Sequence, residues 1–324
     1  MKKNKIKIGI LGCANIADRS IIPSILELND CFQLVAIASR SEEKAIEFAT
    51  KFHCEAITGY QNMIDRNDID ALYIPLPTGL HKEWVTKALE SGKHIYVEKS
   101  FAFNYADAAF MVNLAKTKNL ALMEGYMFIY HSQHEFVKQI IAKGEIGEIR
   151  SFRSSFGFPP LDENNFRYDK NIGGGVVFDA AGYPLRATHL ILGNDLVVTS
   201  SSLYLSKKTN TALYGSAFLK NSSGKSSQIS FGFDNYYQCS YEVWGSKGKI
   251  TVKKAFTPRS NEEPEIIIEN QNGIKIINAP SDNHFKKAFI KFSELIQHEY
   301  KELAYNDILI QSQSLDSIID FSNK

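Results

Sequence analysis

The sequence has few cysteines, almost no excess charge of either sign and no long hydrophobic run, and each absence excludes a class of protein. Its four cysteines, among 324 residues, are far apart and form no C-x-x-C pair, which argues against a zinc site and a disulfide framework. Because 37 Lys and Arg balance 36 Asp and Glu, overall charge favours neither a nucleic-acid nor a membrane partner. We therefore expect a cytoplasmic protein without a metal, in which any anionic ligand is bound locally.

No apolar stretch approaches the roughly 20 residues of a membrane span. The basic residues at the start resemble the beginning of a signal peptide, but Lys7 interrupts the apolar run that follows, and Gly9 and Gly12 come soon after. With 44% apolar and 23% charged residues, the chain is long enough for two domains with sizeable cores.

Residues 1–127 are predicted to form an α/β domain with a doubly wound parallel sheet. Short apolar runs alternate there with amphipathic stretches, which is typical of βαβ units. The predicted strands are 6–11, 32–38, 71–74, 94–97 and 120–123.

A dinucleotide-binding turn follows the first predicted strand. Gly12-Cys13-Ala14-Asn15-Ile16-Ala17 is a G-x-A-x-x-A version of the Rossmann fingerprint, with small residues for the tight turn, for the approach of a pyrophosphate and for helix packing. The pyrophosphate is expected on the free N–H groups at the start of the helix. The motif alone is weak, because other Rossmann-like proteins such as methyltransferases have similar turns.

Ser39 and Arg40 stand at the end of the second strand, where NAD enzymes usually carry an acidic residue. A neutral serine followed by arginine suits a 2′-phosphate, so NADP(H) is favoured over NAD(H). The alternative is an exposed Ser-Arg pair in an ordinary loop.

Two further strands end in residues that point to a site. Strand 94–97 ends in Glu98 and Lys99, and in an open parallel sheet ligands bind beyond the carboxyl ends of the strands. An exposed ion pair is the alternative. After strand 71–74, two prolines flank Leu76 and form an extended wall, and His81 by itself is expected only to cap the following helix.

These motifs together resemble the glucose-fructose oxidoreductase/inositol dehydrogenase/MocA (Gfo/Idh/MocA) family. The resemblance rests on the first turn, on Ile74-Pro75-Leu76-Pro77 with His81, on Gly92-Lys93-His94 and on Glu98-Lys99. Within the family, the run from Gly12 to Arg19 followed by Pro23 is most similar to the nucleotide-sugar 3-ketoreductases of deoxysugar biosynthesis. The chain departs from the family's Glu-Lys-Pro at Ser100, and from its more frequent Arg and Pro at Ile129 and Ser132.

Residues 128–324 are predicted to form an α+β domain with a large, mostly antiparallel open sheet. Strand-like runs and turn signals alternate from 196 to 277, and two amphipathic helices close the chain. One sheet face is expected to be covered by a helix carrying Tyr183, and the other to pair with a second subunit as a homodimer or homotetramer. The long polar loop 157–170 is of a length that is commonly functional.

A glycine-rich stretch and two polar residues follow this loop. Gly173, Gly174 and Gly175 could cradle a phosphate, or they could allow the start of a helix to pack closely against the first domain. Asp179 and Tyr183 are spaced to share a helix face, and in isolation such a pair is more often structural than catalytic.

The resemblance implies an NADPH-dependent reductase of a keto group, at C3, on a nucleotide-linked deoxysugar. It implies Lys99, Tyr183 and Asp179 as catalytic residues, with Lys99 and Tyr183 also contacting the substrate. Near the nicotinamide it implies Leu76, His81, Glu98, Arg167 and Asp179.

Several alternatives remain at this point. Arg19 either meets a substrate phosphate or is an ordinary exposed helix arginine. The protein could instead be an aldose, inositol or dihydrodiol dehydrogenase, a biliverdin-reductase-like enzyme or a non-catalytic dinucleotide sensor.

Overall fold

The computed structural model describes residues 4–298 and 300–322, and the chain divides into two compact units. The first comprises Met1–Gly125 with Phe285–Ser312, and the second comprises Tyr126–His284 with Gln313–Lys324. The observed boundary lies two residues from the predicted one. Residues 285–312, which we predicted to lie in the second domain, group with the first unit.

The first unit contains a six-stranded sheet in the order β3-β2-β1-β4-β5-β6, and every pair of neighbouring strands is parallel. The predicted α/β fold with a doubly wound parallel sheet is confirmed. The strands are β1 (Ile6–Leu11), β2 (Phe32–Ser39), β3 (Glu55–Thr58), β4 (Ala71–Ile74), β5 (His94–Val97) and β6 (Leu122–Glu124).

Edge strand β3 escaped prediction because it is short and only Ile57 is buried, so it lacks an apolar run. The helices of this unit are α1 (Ile22–Glu27), α2 (Glu42–Phe52), α3 (Tyr60–Ile64), α4 (His81–Glu90), α5 (Tyr105–Thr117), α8 (His284–Gln297) and the first part of α9 (Lys301–Ser322). A π-helical turn, Ala17–Ile21, leads into α1.

Aromatic packing explains why α8 belongs to the first unit. Phe289 lies 4.9 Å from Tyr96, 5.7 Å from Phe32 and 6.0 Å from Tyr73 between ring centroids. Large aromatic side chains contribute heavily to core stability. The amphipathic pattern of α8 was visible in the sequence, but the sheet that its apolar face covers was not.

The second unit contains an eight-stranded sheet in the order β14-β13-β12-β11-β7-β10-β9-β8. All neighbouring strands are antiparallel except β7 and β10, which are parallel. The predicted, mostly antiparallel open sheet is confirmed. The strands are β7 (Ile149–Gly157), β8 (Val197–Leu205), β9 (Ala212–Lys220), β10 (Ser226–Gly232), β11 (Gln238–Gly245), β12 (Gly248–Val252), β13 (Glu265–Asn270) and β14 (Gly273–Asn278).

Helix α7 (Gly182–Leu192), preceded by the π-helical turn Val177–Ala181, packs on β7 and β10. Thr188 of α7, for example, forms a buried 2.8 Å hydrogen bond with Ser227 of β10. Helix α6 (Ser132–Ala142) and the end of α9 complete the unit. Across the described residues, no helix is both long and apolar enough to cross a membrane.

Candidate active site

The first turn of the parallel sheet has the shape that an anion needs. Gly12 has a φ of +134°, and a Cβ there would lie 3.0 Å from the Leu76 side chain, so glycine is required. Ala17 is completely buried beneath the turn, whereas Asn15 stays exposed at the start of the helix. Free N–H groups at a helix N-terminus favour anions, and these residues therefore fit a pyrophosphate.

A pocket of about 500 Å³ lies beyond the end of β2. Its lining residues are Cys13, Ser39, Arg40, Ser41, Lys44 and Tyr60. Among the described residues, neither Arg40 nor Lys44 forms an ion pair. Two cations without carboxylate partners, beside serine hydroxyls, fit a phosphate monoester.

The sequence analysis identified Ser39 and Arg40 but missed Lys44 and Tyr60. Lys44 could have been found, because Ser41 caps α2 by accepting a hydrogen bond from the Lys44 N–H, which places Lys44 in the first helical turn after β2. Tyr60 gave no local signal. Its ring packs edge-on against Trp84 at 5.1 Å, and burial raises the pKa of its hydroxyl.

The turns after β4 and β5 are tied together through His81. This side chain is fully buried, its Nε2 lies 2.7 Å from the carbonyl oxygen of Leu76, and its Nδ1 lies 3.0 Å from that of Ser100. Burial lowers the pKa of His81, and the carbonyl acceptors oppose that shift. His81 does begin α4, but its ring reaches two loops instead of acting only as a cap.

Lys99 lies in the turn after β5, between residues with defined partners. Glu98 accepts a 2.7 Å hydrogen bond from the Tyr73 hydroxyl, Lys99 is half-buried, and the Lys99–Ser100 peptide bond is cis. The turn therefore presents an amine and a carboxylate at the carboxyl edge of the sheet, as the sequence predicted.

Gly92-Lys93-His94, part of the family resemblance, stabilises the fold at the opposite end of β5. The buried Lys93 ammonium donates to the carbonyl oxygens of Arg66 and Ile69, and the His94 ring accepts from the N–H of Ala121. Since these groups bind backbone atoms, the motif identifies the family without belonging to the site.

In the second unit, Asp179 forms a 2.8 Å ion pair with Arg167, whose guanidinium also stacks over Phe166 at 4.8 Å. The Asp179 side chain is only 13% exposed. This pairing ties the long polar loop to the π-helical turn, and the sequence did not indicate it.

The three glycines after the loop do not cradle a phosphate through their N–H groups. Gly173 and Gly174 both donate to the carbonyl oxygen of Asp169, and Gly175 donates to that of Arg167. The glycines are needed for close packing, because a Cβ on Gly173 would lie 2.5 Å from backbone atoms of the loop. These contacts pack the glycines against the preceding loop of the same unit, which is not the packing against the first domain that we predicted.

Tyr183 is 8% exposed and lies in an aromatic cluster. Ring centroids of Phe156, Tyr126, Phe256 and Phe128 lie 4.6, 5.5, 5.7 and 5.8 Å from its own. Tyr126 approaches so closely that a Cβ on the neighbouring Gly182 would overlap its hydroxyl oxygen. The Tyr183 ring is therefore held firmly, and it follows a π-helical turn of the kind that is frequent at functional sites.

Both units match models of known protein families. The family model for the Gfo/Idh/MocA oxidoreductase family, NAD-binding Rossmann fold, matches residues 6–126, and the model of the Gfo/Idh/MocA C-terminal domain matches residues 134–251. A dTDP-3,4-didehydro-2,6-dideoxy-α-D-glucose 3-reductase from Saccharopolyspora spinosa is 39% identical over 91% of this chain and 89% of its own. The enzyme of that name from Actinomadura kijaniata is 35% identical over 97% and 95%.

Among solved structures, a 3-ketoreductase from Actinomadura kijaniata in complex with NADP and TDP-benzene superposes with a TM-score of 0.95. It is 34% identical, with 98% of each chain covered. Variants of that enzyme with one tyrosine changed to phenylalanine, and with one lysine changed to alanine or glutamate, have also been solved.

Proposed function

The chain belongs to the Gfo/Idh/MocA oxidoreductase family, and on that premise we propose that it is an NADPH-dependent reductase of a keto group, at C3, on a nucleotide-linked deoxysugar. The observation that carries this proposal is nearly full-length similarity to 3-reductases of a dTDP-linked dideoxysugar. The tyrosine and lysine altered in the solved relative are 84 positions apart, as Lys99 and Tyr183 are here (183 − 99 = 84).

NADPH is proposed to lie along the carboxyl edge of the first unit's sheet. The run from Gly12 through Cys13, Ala14, Asn15 and Ile16 to Ala17 would hold the pyrophosphate. Ser39, Arg40 and Lys44 would hold the 2′-phosphate, with Tyr60 beside the adenine. The two cations without ion-pair partners support NADPH over NADH, since the 2′-phosphate needs a positive partner.

We propose that Leu76 and Glu98 contact the nicotinamide. The buried His81 would hold the turns that carry them, through its contacts to the carbonyl oxygens of Leu76 and Ser100. Bound NADPH supplies the hydride. The hydride would add to the carbonyl carbon and the π electron pair would move to the carbonyl oxygen, which develops negative charge, so the site needs a positive field and a proton donor. Lys99 supplies the field, and Tyr183 supplies the proton from its hydroxyl. In the alternative version, Lys99 donates the proton directly.

Asp179 is proposed to act through Arg167 instead of exchanging a proton itself. Its ion pair with Arg167 supports this role, because it uses the Nε–H of the guanidinium and the terminal N–H groups would be able to donate to nicotinamide or substrate oxygens. Arg19, exposed on the π-helical turn that leads into α1, is proposed to contact a substrate phosphate.

The test is an NADPH-oxidation screen of the purified full chain. We expect turnover with dTDP-3,4-didehydro-2,6-dideoxy-α-D-glucose and none with free aldoses, inositols or dihydrodiols. Turnover of a free sugar would favour the dehydrogenase alternative. NADPH binding without turnover of any of these compounds would favour a dinucleotide sensor.

A homodimer or homotetramer is also proposed, formed through the open face of the eight-stranded sheet. Trp244 on β11 is 53% exposed, and Tyr204 stacks on Tyr214 at 4.7 Å between neighbouring strands, with both rings more than 40% exposed. Exposed aromatic groups of this kind commonly mark interaction surfaces.

A further inference from the structure

The peptide group between Ser100 and Phe101, directly after Lys99, is held at both of its ends. Its carbonyl oxygen lies 3.0 Å from Nδ1 of His81, and its N–H donates a 2.8 Å hydrogen bond to Oε1 of Glu124. Ser100 and His81 are fully buried, and Phe101 is 1% exposed. Water therefore does not compete for these hydrogen bonds.

The two side chains that hold this peptide belong to different secondary-structure elements. His81 begins α4 and also reaches the carbonyl oxygens of Leu76 and Phe101, at 2.7 and 3.1 Å. Glu124 ends β6, the edge strand. The peptide is thus fixed to the turn after β4 on one side and to β6 on the other.

The preceding side of Lys99 is fixed as well. Glu98 accepts from the Tyr73 hydroxyl at 2.7 Å. Gly125 approaches so closely that a Cβ there would lie 3.2 Å from the Glu98 Cα. Such a contact is tighter than ordinary van der Waals distance, so a side chain at position 125 would require the turn after β5 to shift by a few tenths of an ångström.

We propose that His81 and Glu124 are positioning residues that clamp the Ser100–Phe101 peptide and thereby hold Lys99 where the reaction needs it. The inference rests on the proposed function of Lys99. Neither residue touches the reacting atoms in this account. Their effect is geometric, and displacement of a catalytic group by about 1 Å can cost roughly 100-fold in rate.

Two pairs of substitutions separate this role from general stabilisation. We assign the single proton of the neutral His81 ring to Nδ1, because this nitrogen faces two carbonyl oxygens, those of Ser100 and Phe101. The amide nitrogen of Asn can take the place of Nδ1, so His81→Asn keeps a donor to the clamped peptide. His81→Gln places its amide nitrogen near the Nε2 position, so it keeps the contact to Leu76 and loses the clamp. Likewise, Glu124→Gln retains an acceptor for the Phe101 N–H, and Glu124→Leu does not.

The experiment measures single-turnover hydride transfer from NADPH to dTDP-3,4-didehydro-2,6-dideoxy-α-D-glucose, with 2′,5′-ADP binding measured in parallel. We expect His81→Gln and Glu124→Leu to slow transfer by about 10- to 100-fold, on the scale of that misplacement. His81→Asn and Glu124→Gln should stay within about fivefold of the unaltered chain, and 2′,5′-ADP affinity should change less than about twofold in all four, because only the clamp differs. His94→Gln, a matched change of a histidine at the start of β5, is the control and should leave transfer unchanged.

A double-mutant cycle tests whether the effect passes through Lys99. In a Lys99→Met background, His81→Gln should cause little further slowing, because residues that act as a unit are non-additive. Equal slowing in both backgrounds, or equal rates for His81→Asn and His81→Gln, would overturn the proposal. If Lys99→Met itself transfers hydride normally, the proposed role of Lys99 fails instead.

Hydrogen exchange of the chain without substrate gives a readout independent of turnover. The Phe101 amide should exchange at least about tenfold faster in Glu124→Leu than in Glu124→Gln, since opening governs exchange. His81→Gln should likewise accelerate exchange relative to His81→Asn. Equal exchange within each pair would show that the peptide is not clamped by these side chains.

Discussion

Two buried histidines predict that the second unit loses stability in mild acid. The Tyr241 hydroxyl lies 2.9 Å from Nδ1 of His134, and Nε2 of His134 lies 3.1 Å from the carbonyl oxygen of Ala255. Burial raises the pKa of Tyr241, so its hydroxyl stays protonated and donates, and the neutral imidazole satisfies both contacts. Burial, followed by the nearby His131, lowers the pKa of His134 to about 3 and that of His284 to about 3.

The direction in which stability changes with pH follows from comparing the folded unit with the unfolded chain. In the unfolded chain both histidines have the ordinary pKa of 6.5 and bind a proton below that pH. In the folded unit their pKa is about 3, so they remain neutral down to about pH 3. Their contribution to stability is complete above pH 6.5 and is lost progressively as the pH falls. At about 1.4 kcal/mol per pH unit, each histidine costs about 2 kcal/mol at pH 5, and the pair about 4 kcal/mol. That is a large part of the roughly 5–15 kcal/mol of a typical domain.

The assay is urea unfolding between pH 7 and pH 5 in a Trp84→Phe background. The chain has two tryptophans, so Trp244 alone then reports on the second unit. We expect the free energy of unfolding to fall by about 4 kcal/mol over this range. His134→Asn, which keeps an acceptor for Tyr241, should reduce the pH slope by about one proton.

His53→Asn is the matched control, because His53 is exposed and has a left-handed φ of +53° that asparagine tolerates. The free energy of unfolding of this variant should change with pH as it does in the Trp84→Phe chain. A free energy of unfolding that does not change from pH 7 to pH 5, or an undiminished slope in His134→Asn, would refute the reasoning.

Four further outcomes are expected. Arg40→Ala should weaken NADPH binding by about 10- to 100-fold and NADH binding by less than about twofold, since a charge-assisted hydrogen bond is worth about 1.5–3 kcal/mol; equal losses in binding titrations would contradict the phosphate role. Lys99→Met should slow single-turnover hydride transfer by about 10²- to 10⁴-fold while NADPH still binds. If Tyr183 is the donor, the double mutant with Tyr183→Phe should be little worse than the poorer single mutant, whereas a loss of about tenfold or less for Tyr183→Phe alone would indicate Lys99 as donor. Gly182→Ala should destabilise the second unit by about 1–3 kcal/mol in urea unfolding, because the methyl group overlaps the Tyr126 hydroxyl; unchanged stability would mean that the ring relaxes freely. Light scattering at micromolar concentration should show a dimer or tetramer, and a clean monomer would disprove the proposed role of the open sheet face.

The sequence by itself determined the parallel sheet and which residues follow its strands. Strands β1, β4 and β5 begin and end at the predicted residues, because strands buried on both faces appear as short apolar runs, which only the exposed Lys7 interrupts in β1. Ser39 and Arg40 could be identified because they stand at the end of a predicted strand. The fold places the residues after each strand at one edge, so their chemistry can be read without knowing any long-range contact.

Only the tertiary structure decided which distant groups meet. The place of α8 in the first unit, the ion pair of Arg167 with Asp179, and the hydrogen bonds of His81 and Glu124 to the turn after Lys99 join residues that no periodicity relates. An apolar helix face predicts that the face is buried, but the element that covers it depends on how whole elements pack. A buried polar side chain is explained only once the particular backbone atoms that satisfy it are known.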